Sequence, residues 1–308
     1  MGRRQRRFAL AVGLSALLAG CSAPPPPADP GKPRRVLDST VQVEDTLYLP
    51  GTHEERLQAF LRYRYGANAR LDAAWQDQWD DTEVEAQRPV TRQVCARDTV
   101  HTDGHVQHLL AVCQTLDEAA SVEPGRLDLY VLRDGKDLLF GNDPDDSMFA
   151  KLFRTRPPLL VIAQRQQGQY GRKGAPGTVQ IEQLGPQRHA FRITHGELDR
   201  GTARASRSYI AVHNNRLREV AMLREHLDNR AAPGCEDTSK TCDTPRFDVD
   251  FSISVGDSDA LEGYWPLTVR TRGEDCSGAA HEYHLLKFDA RSRSYAVPAE
   301  LQRDDCGA

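Results

Sequence analysis

Residues 203–223 read ARASRSYIAVHNNRLREVAML, and this stretch decides the fold class. Two strand-like runs, 203–213 and 216–223, are separated by Asn214-Asn215, and Asn tolerates the positive φ values that a two-residue hairpin turn needs. Strands joined by so short a turn pair antiparallel, because parallel pairing needs a crossover of a dozen or more residues. The stretch therefore predicts an antiparallel β-hairpin.

Comparable strand-like runs, punctuated by Gly, Pro, Asn and Asp, lie on both sides of this hairpin. The predicted strands are 91–100, 106–116, 126–132, 138–140, 159–165, 178–184, 189–194, 203–213, 216–223, 247–255, 264–271 and 282–288, the last leading to Tyr295. The sequence therefore predicts a mainly β body over residues 86–308, built as an antiparallel meander. A sandwich, a barrel and a propeller-like arrangement all stay open.

A short helical segment is predicted over residues 51–85, before the β body. Thr52 and Glu55 have the spacing of a capping box, and apolar residues follow at helical spacing. Leu71, Trp75 and Trp79 follow one another at intervals of four residues, and this spacing predicts a second short helix. We expect residues 51–308 to form one compact unit.

The N-terminus has the layout of a secretory signal. A basic region with four arginines is followed by an apolar run over residues 8–18 and then by small residues. The run ends in Leu18-Ala19-Gly20-Cys21, which resembles the lipobox of exported bacterial lipoproteins. The resemblance implies that residues 1–20 are a signal peptide and that Cys21 becomes the lipidated N-terminus. It also implies palmitate or a similar acyl chain as the membrane anchor.

The resemblance also implies a cellular location. Ser22 follows the anchor, and in this family a residue other than Asp at that position favours the outer membrane of a Gram-negative cell. Six prolines lie between residues 22 and 35, a composition that excludes helix and sheet. Residues 21–50 are therefore predicted to carry the lipid and form a Pro-rich tether, with the body facing the periplasm.

Composition and charge exclude several classes of protein. The chain has 308 residues and a formal net charge of −4, and its apolar run is too short for a polytopic membrane protein. Removal of the signal peptide takes away four arginines and leaves the mature chain more acidic, at −8. Nucleic acid is therefore not an expected partner.

Six cysteines remain besides Cys21, and an even number in an oxidising compartment predicts three disulfides. A three-residue hairpin loop over 103–105 would place Thr102 opposite Val106 and Cys95 opposite Cys113. The predicted pairs are Cys95–Cys113, Cys235–Cys242 and Cys276–Cys306.

Positive charge is concentrated over residues 151–219, where thirteen Lys and Arg face four Asp and Glu. One interpretation is neutralisation by the acidic remainder of the chain; the other is a basic face for an anionic envelope polymer. Residues 168–174 are interpreted as a long, mobile hairpin loop. The predicted polyanion-binding residues are Arg172, Lys173, Arg204, Arg207, Arg216 and Arg218.

The histidines do not predict a metal site. His281 and His284 are three residues apart in a predicted strand and would point to opposite faces, so they could not share one ion. A second group near one hairpin turn is predicted to be solvent-exposed, and it comprises His101, His105 and His108. No catalytic residue, metal or cofactor is predicted.

In the spacing of its short strands and turns, the body resembles β-rich envelope lipoproteins of Gram-negative bacteria. The leading hypothesis is therefore a lipid-anchored envelope protein with a binding or structural role. Its expected partners are the membrane, through the lipid, and an anionic envelope polymer or another envelope protein. The alternatives are an envelope hydrolase with an unrecognised site and an inhibitor of an attacking enzyme.

Overall fold

The structure is a computed structural model that describes residues 44–49, 51–81, 86–102, 104–135, 158–232, 246–275 and 278–303. All of these residues belong to one compact unit. The predicted signal peptide, Cys21 and most of the predicted tether lie outside the described residues. The same holds for the predicted strand 138–140 and for Cys235, Cys242, Cys276 and Cys306.

The fold is mainly antiparallel β, as predicted. The elements in chain order are β1 Asp45–Leu47, α1 His53–Tyr65, β2 Trp75–Asp81, β3 Ala86–Thr102, β4 His105–Leu116, β5 Gly125–Asp134, β6 Leu159–Tyr170, β7 Thr178–Gly185, β8 Arg188–Asp199, β9 Thr202–His213, β10 Arg216–Asp228, β11 Asp248–Val255, β12 Leu267–Asp275, β13 Gly278–Ala280, β14 Tyr283–Leu286, β15 Phe288–Asp289, β16 Ser294–Tyr295 and a 3-10 helix, Ala299–Leu301. Within the described ranges, no helix has the length and apolar character needed to cross a membrane.

The strands form two large sheets and a small one. The six-stranded sheet has the order β1-β6-β5-β4-β3-β2, and the eight-stranded sheet runs β13-β12-β11-β10-β9-β8-β7 with β14 beside β12. Strands β15 and β16 form a separate two-stranded ribbon. Most neighbours in each sheet are also neighbours in sequence, so the predicted meander is confirmed.

A core between the two large sheets holds them face to face. It is built from the inward residues of both sheets, because side chains alternate along a strand. Its buried members include Leu109, Leu129, Val131 and Ile162 from the six-stranded sheet and Phe191, Ile193, Ile210 and Leu217 from the eight-stranded sheet.

The opposite face of the eight-stranded sheet surrounds a second core. This sheet curves into a half-barrel, and the C-terminal ribbon and 3-10 helix contribute to the apolar cluster that it holds. At its centre Tyr264 stacks on Phe288 with ring centroids 4.1 Å apart, and Tyr295 contacts both rings edge-on. The eight-stranded sheet is therefore buried on both faces over part of its length.

Helix α1 covers the outer face of the six-stranded sheet. The predicted capping box is present, since the Glu55 carboxylate accepts a hydrogen bond from the Thr52 N–H at 2.7 Å and the Glu55 N–H donates to the Thr52 hydroxyl. Leu57, Phe60 and Leu61 are buried against the sheet. The cap fixes the start of the helix, and its apolar face provides the packing.

The second predicted helix is wrong. Trp75 and Trp79 belong to β2, which pairs with β3. A spacing of four residues places side chains on one face of a strand as well as on one face of a helix, so this spacing does not distinguish the two. Trp75 packs in the core under α1, and the Arg126 guanidinium lies 4.5 Å from the centre of the Trp79 ring.

The folded body begins earlier than the predicted end of the tether at residue 50. Strand β1 pairs with β6, and the Glu44 N–H donates to the Val161 carbonyl at 2.8 Å. Leu47 is buried in the core under α1. The body therefore starts at or before Glu44.

The Cys95–Cys113 disulfide is present, but the predicted hairpin register is wrong. The turn has two residues, so Thr102 lies opposite His105 rather than Val106. A β-bulge at Cys95 then interrupts the ladder between Val94 and Ala96. The bulge turns the Cys95 side chain to the face of Cys113, and both contact the core between the sheets.

Candidate anion-binding cleft

A cleft of about 630 Å³ opens at the end of the body where three hairpin turns meet. The turns are those between β3 and β4, between β7 and β8, and between β9 and β10, and the β15–β16 turn also contributes. Its lining comprises Thr102, His105, Gln107, Leu109, Arg133, Ile162, Gln187, Arg188, His189, Val212, His213, Asn214, Asn215, Arg216, Arg218 and Arg293.

The lining is strongly basic. It contains five arginines and three histidines, and none of the described residues that line it is an Asp or Glu. Arginine presents a planar fork of N–H donors that matches the oxygens of phosphate or carboxylate. The arrangement is therefore suited to binding an anion.

The β9–β10 hairpin supplies one wall of the cleft. Asn214 and Asn215 have φ values of 50° and 58°, so the predicted turn is confirmed. The hairpin places His213, Arg216 and Arg218 in the lining. In the described part of the chain, the side chains of Arg216, Arg218 and Arg293 make no ion pair, which leaves their charge uncompensated by a carboxylate.

Arg188 is held in place by the half-barrel. Its guanidinium lies 5.8 Å from the centre of the buried Tyr264 ring. The backbone at Gly185 passes very close to the backbone at Gly263. A Cβ at residue 185 would lie only 1.8 Å from the Gly263 carbonyl oxygen. Glycine at residue 185 thus allows the turn before Tyr264 to pack against the β7–β8 turn, where β8 begins.

The cationic groups converge on His213. Burial lowers the pKa of its imidazole, and the guanidinium groups of Arg293, Arg188 and Arg218 lower that pKa further. Glu262 acts in the opposite direction, but it does not line the cleft. Three arginines from β8, β10 and the β15–β16 turn therefore act on one histidine.

The six-stranded sheet supplies the other wall. Arg133 is buried, and its guanidinium donates a hydrogen bond to Nδ1 of His105. Arginine has only donors, so Nδ1 of His105 is the acceptor in this contact. His189 lines the cleft from the facing sheet, and burial lowers the pKa of its imidazole.

The structure separates the predicted polyanion-binding residues. Arg216 and Arg218 line the cleft, whereas Arg204 and Arg172 line a different cavity that also contains Glu197 and Asp199. Arg207 and Lys173 line neither of these two cavities. Arg207 forms an ion pair with Glu225. Four arginines do lie on the β9–β10 hairpin, but its length places them at two different ends.

The turn that carries Arg172 and Lys173 differs from the predicted long loop. Strand β6 continues to Tyr170, and the following residues form a compact turn. Gly174 donates to the Glu123 carbonyl and accepts from the Leu116 N–H, both at 2.9 Å. Backbone hydrogen bonds thus fix the turn against its neighbours.

Sequence reasoning missed most of the cleft. Arg188 belongs to the basic stretch over residues 151–219, but nothing in its sequence surroundings marks it as a site residue, and Arg133 and Arg293 lie outside that stretch. For His105 the sequence predicts only an exposed position near a hairpin turn. No local pattern connects these positions, which come together only through the packing of three sheets.

The other histidines of that exposed group have different surroundings. His101 is exposed, but His108 is buried beside His53, with ring centroids 3.9 Å apart. The prediction of a solvent-exposed His108 is therefore wrong. Of the C-terminal pair, His284 hydrogen-bonds Glu282 at 3.1 Å, while His281 is exposed.

A cluster of His226, Asp228 and Asp248 has metal-like spacing. Arg230 makes ion pairs with both aspartates, at 2.8 Å and 2.9 Å. The guanidinium thus supplies the positive charge that these carboxylates face. The arrangement is an ion-pair network at the junction of β10 and β11.

A buried polar network lies under α1. The Asp128 carboxylate accepts hydrogen bonds from the Tyr65 hydroxyl at 2.7 Å, the Gln114 amide at 2.8 Å and the Gln167 N–H at 2.7 Å. Burial raises the pKa of Asp128, and the hydrogen bonds from Gln167 and Tyr65 and the charge of Arg92 oppose that effect. Asp128 is only 3% exposed, so the network is closed to solvent and fastens α1 and a β6 bulge to the sheet.

Comparison with protein-family models, curated proteins and solved structures finds no match for this chain.

Proposed function

We propose that this protein is a lipid-anchored component of the bacterial envelope whose β body binds an anionic envelope molecule in the basic cleft. The observation that carries the proposal is the lining of five arginines and three histidines without a described carboxylate. The lipobox-like sequence ending in Cys21 supports the anchor.

The charge of the chain makes the cleft selective. The full chain carries −4, so a local basic region lies within a protein of opposite net charge. An anionic group that enters the cleft meets several guanidinium groups at once.

Removal of three cleft charges tests the proposal. We expect R216Q/R218Q/R293Q in the full-length protein, kept in non-ionic detergent, to bind dextran sulfate at least tenfold more weakly than the wild type. Charge-assisted hydrogen bonds contribute about 1.5–3 kcal/mol each, and exposed arginines contribute little to folding. Binding should also weaken above about 0.1 M salt. Titration with uncharged dextran measures the background.

The matched control removes three exposed arginines outside the cleft, as R62Q/R200Q/R272Q. Both variants lose the same formal charge, so a general electrostatic effect would lower binding equally in the two. Equal loss in the two variants, or wild-type binding by the cleft variant, would contradict the proposal. Thermal melting of both variants checks that they fold.

A further inference from the structure

We propose that the cleft binds a ligand with two separate anionic groups, of the class of bisphosphorylated saccharides, free or as part of a larger envelope glycan. The inference rests on the proposed function and specifies its ligand. Cationic side chains from both large sheets line one cavity, together with apolar and amide side chains.

The first cationic group consists of Arg188, Arg218 and Arg293, which line the cavity together with His213 on the half-barrel side. Val212 and Leu217 lie directly opposite each other in the β9–β10 ladder, and both contact the core between the sheets. Because side chains alternate along strands, His213 and Arg218 point to the other face of the eight-stranded sheet. Arg188, Arg218 and Arg293 line the same cavity as His213; burial lowers the pKa of its imidazole most, and their positive charge lowers that pKa further.

The second group consists of the Arg133 cation and the His105 ring that accepts its hydrogen bond, both on the six-stranded sheet. Arg133 has the same orientation as Val131, and His105 the same as Leu109; both of these apolar residues contact the core between the sheets. The hydrogen-bonded Arg133–His105 pair therefore faces the eight-stranded sheet from the opposite side. The second group thus comes from a different sheet from the first, although both line one cavity.

Neutral side chains line the same cavity. Leu109, Ile162 and Val212 provide apolar contact, and Gln107 and Asn214 add amides that can both donate and accept hydrogen bonds. Hydroxyl groups of a sugar need such two-way partners. Phosphate fits the ends, because its oxygens accept from several guanidinium groups at once.

Calorimetric titration with three defined probes tests the inference. The probes are fructose 1,6-bisphosphate, fructose 6-phosphate and inorganic phosphate, titrated into the full-length protein at equal ionic strength. We expect the bisphosphate to bind at least tenfold more tightly than either probe with a single phosphate group, because only the bisphosphate can contact both groups at once.

Variants of each group then separate the contributions of the two groups to binding. R218Q/R293Q should reduce bisphosphate affinity at least tenfold, to the level of fructose 6-phosphate, while H105Q should reduce bisphosphate affinity and leave fructose 6-phosphate affinity within twofold. Retained fructose 6-phosphate binding shows that H105Q is folded. The R62Q/R200Q/R272Q control should preserve the preference for the bisphosphate.

The possible outcomes separate the two proposals. Equal affinity for bisphosphate and monophosphate, or a preference that survives R218Q/R293Q, would overturn the two-group inference and leave the proposed function standing. Dextran sulfate binding without binding of any small probe would also overturn the inference alone. Failure of every anion, dextran sulfate included, would remove the proposed function itself.

Discussion

His108 is a buried histidine whose neutral form the fold favours. It hydrogen-bonds the Thr99 hydroxyl at 3.0 Å and stacks against His53. Burial lowers its pKa from 6.5 to about 4, with further lowering by His53 and Arg56 and an opposing effect of Asp134. The unfolded chain therefore binds more protons at this position than the native protein does between these pH values.

We predict that native stability falls as the pH decreases from about 6.5 to about 4, and that H108Q reduces this slope. One such group changes the free energy of unfolding by at most about 1.4 kcal/mol per pH unit. The measurement is urea unfolding at a series of pH values. A residual slope should remain, because burial also lowers the pKa values of His189, His195 and His213.

The control for this prediction is H281Q, since His281 is exposed. It should retain the wild-type dependence of stability on pH. An H108Q protein with the full wild-type slope would show that another group titrates in this range.

At the scale of elements, the β3–β4 hairpin contains a short turn, a β-bulge and a disulfide, and each of them affects its register or stability. The two-residue turn sets the register near His105, and the bulge at Cys95 changes the register further along the ladder. Cys95 and Cys113 are 18 residues apart in sequence, so their bond closes a short loop in the unfolded chain. The hairpin also carries His105 into the cleft, and its stability therefore supports the site.

We predict that C95S/C113S lowers the free energy of unfolding by about 3 kcal/mol, the loop-entropy value for a loop of this size. The measurement is denaturant unfolding under non-reducing conditions. Peptide mapping of the unreduced wild type should find Cys95 linked to Cys113. A linkage of Cys95 to any other cysteine, or unchanged stability of the variant, would contradict the assignment.

At the scale of the whole molecule, one end of the folded body presents the basic cleft while the sequence before residue 44 provides the expected anchor. Every described element begins at Glu44 or later. The described packing thus does not depend on the lipidated N-terminus. Anchoring and ligand binding are expected to be separable properties.

We predict that C21S moves the protein from the membrane fraction to the soluble fraction, because the acyl chains would have no attachment site. The melting temperature and binding of dextran sulfate should stay close to the wild-type values. S22A is the matched control and should remain with the membrane fraction. Membrane recovery of C21S would mean that the body binds the membrane by itself.

The sequence by itself determined the features that depend on near neighbours. The Asn214-Asn215 turn predicted an antiparallel hairpin, and Thr52 with Glu55 predicted the start of α1, because turns and caps are formed within a few residues. It also predicted the Cys95–Cys113 pair. Spacing alone failed for Trp75 and Trp79, since four residues repeat on one face of either a helix or a strand.

Only the tertiary structure decided the cleft. Arg133, Arg188 and Arg293 lie far apart in sequence and meet because the two large sheets pack face to face and the C-terminal ribbon contributes to the half-barrel core. The length of the β9–β10 ladder separates Arg204 and Arg207 from Arg216 and Arg218, although one hairpin holds all four. Charge in a sequence is counted along the chain, but an anion senses charge through space, and packing fixes those distances.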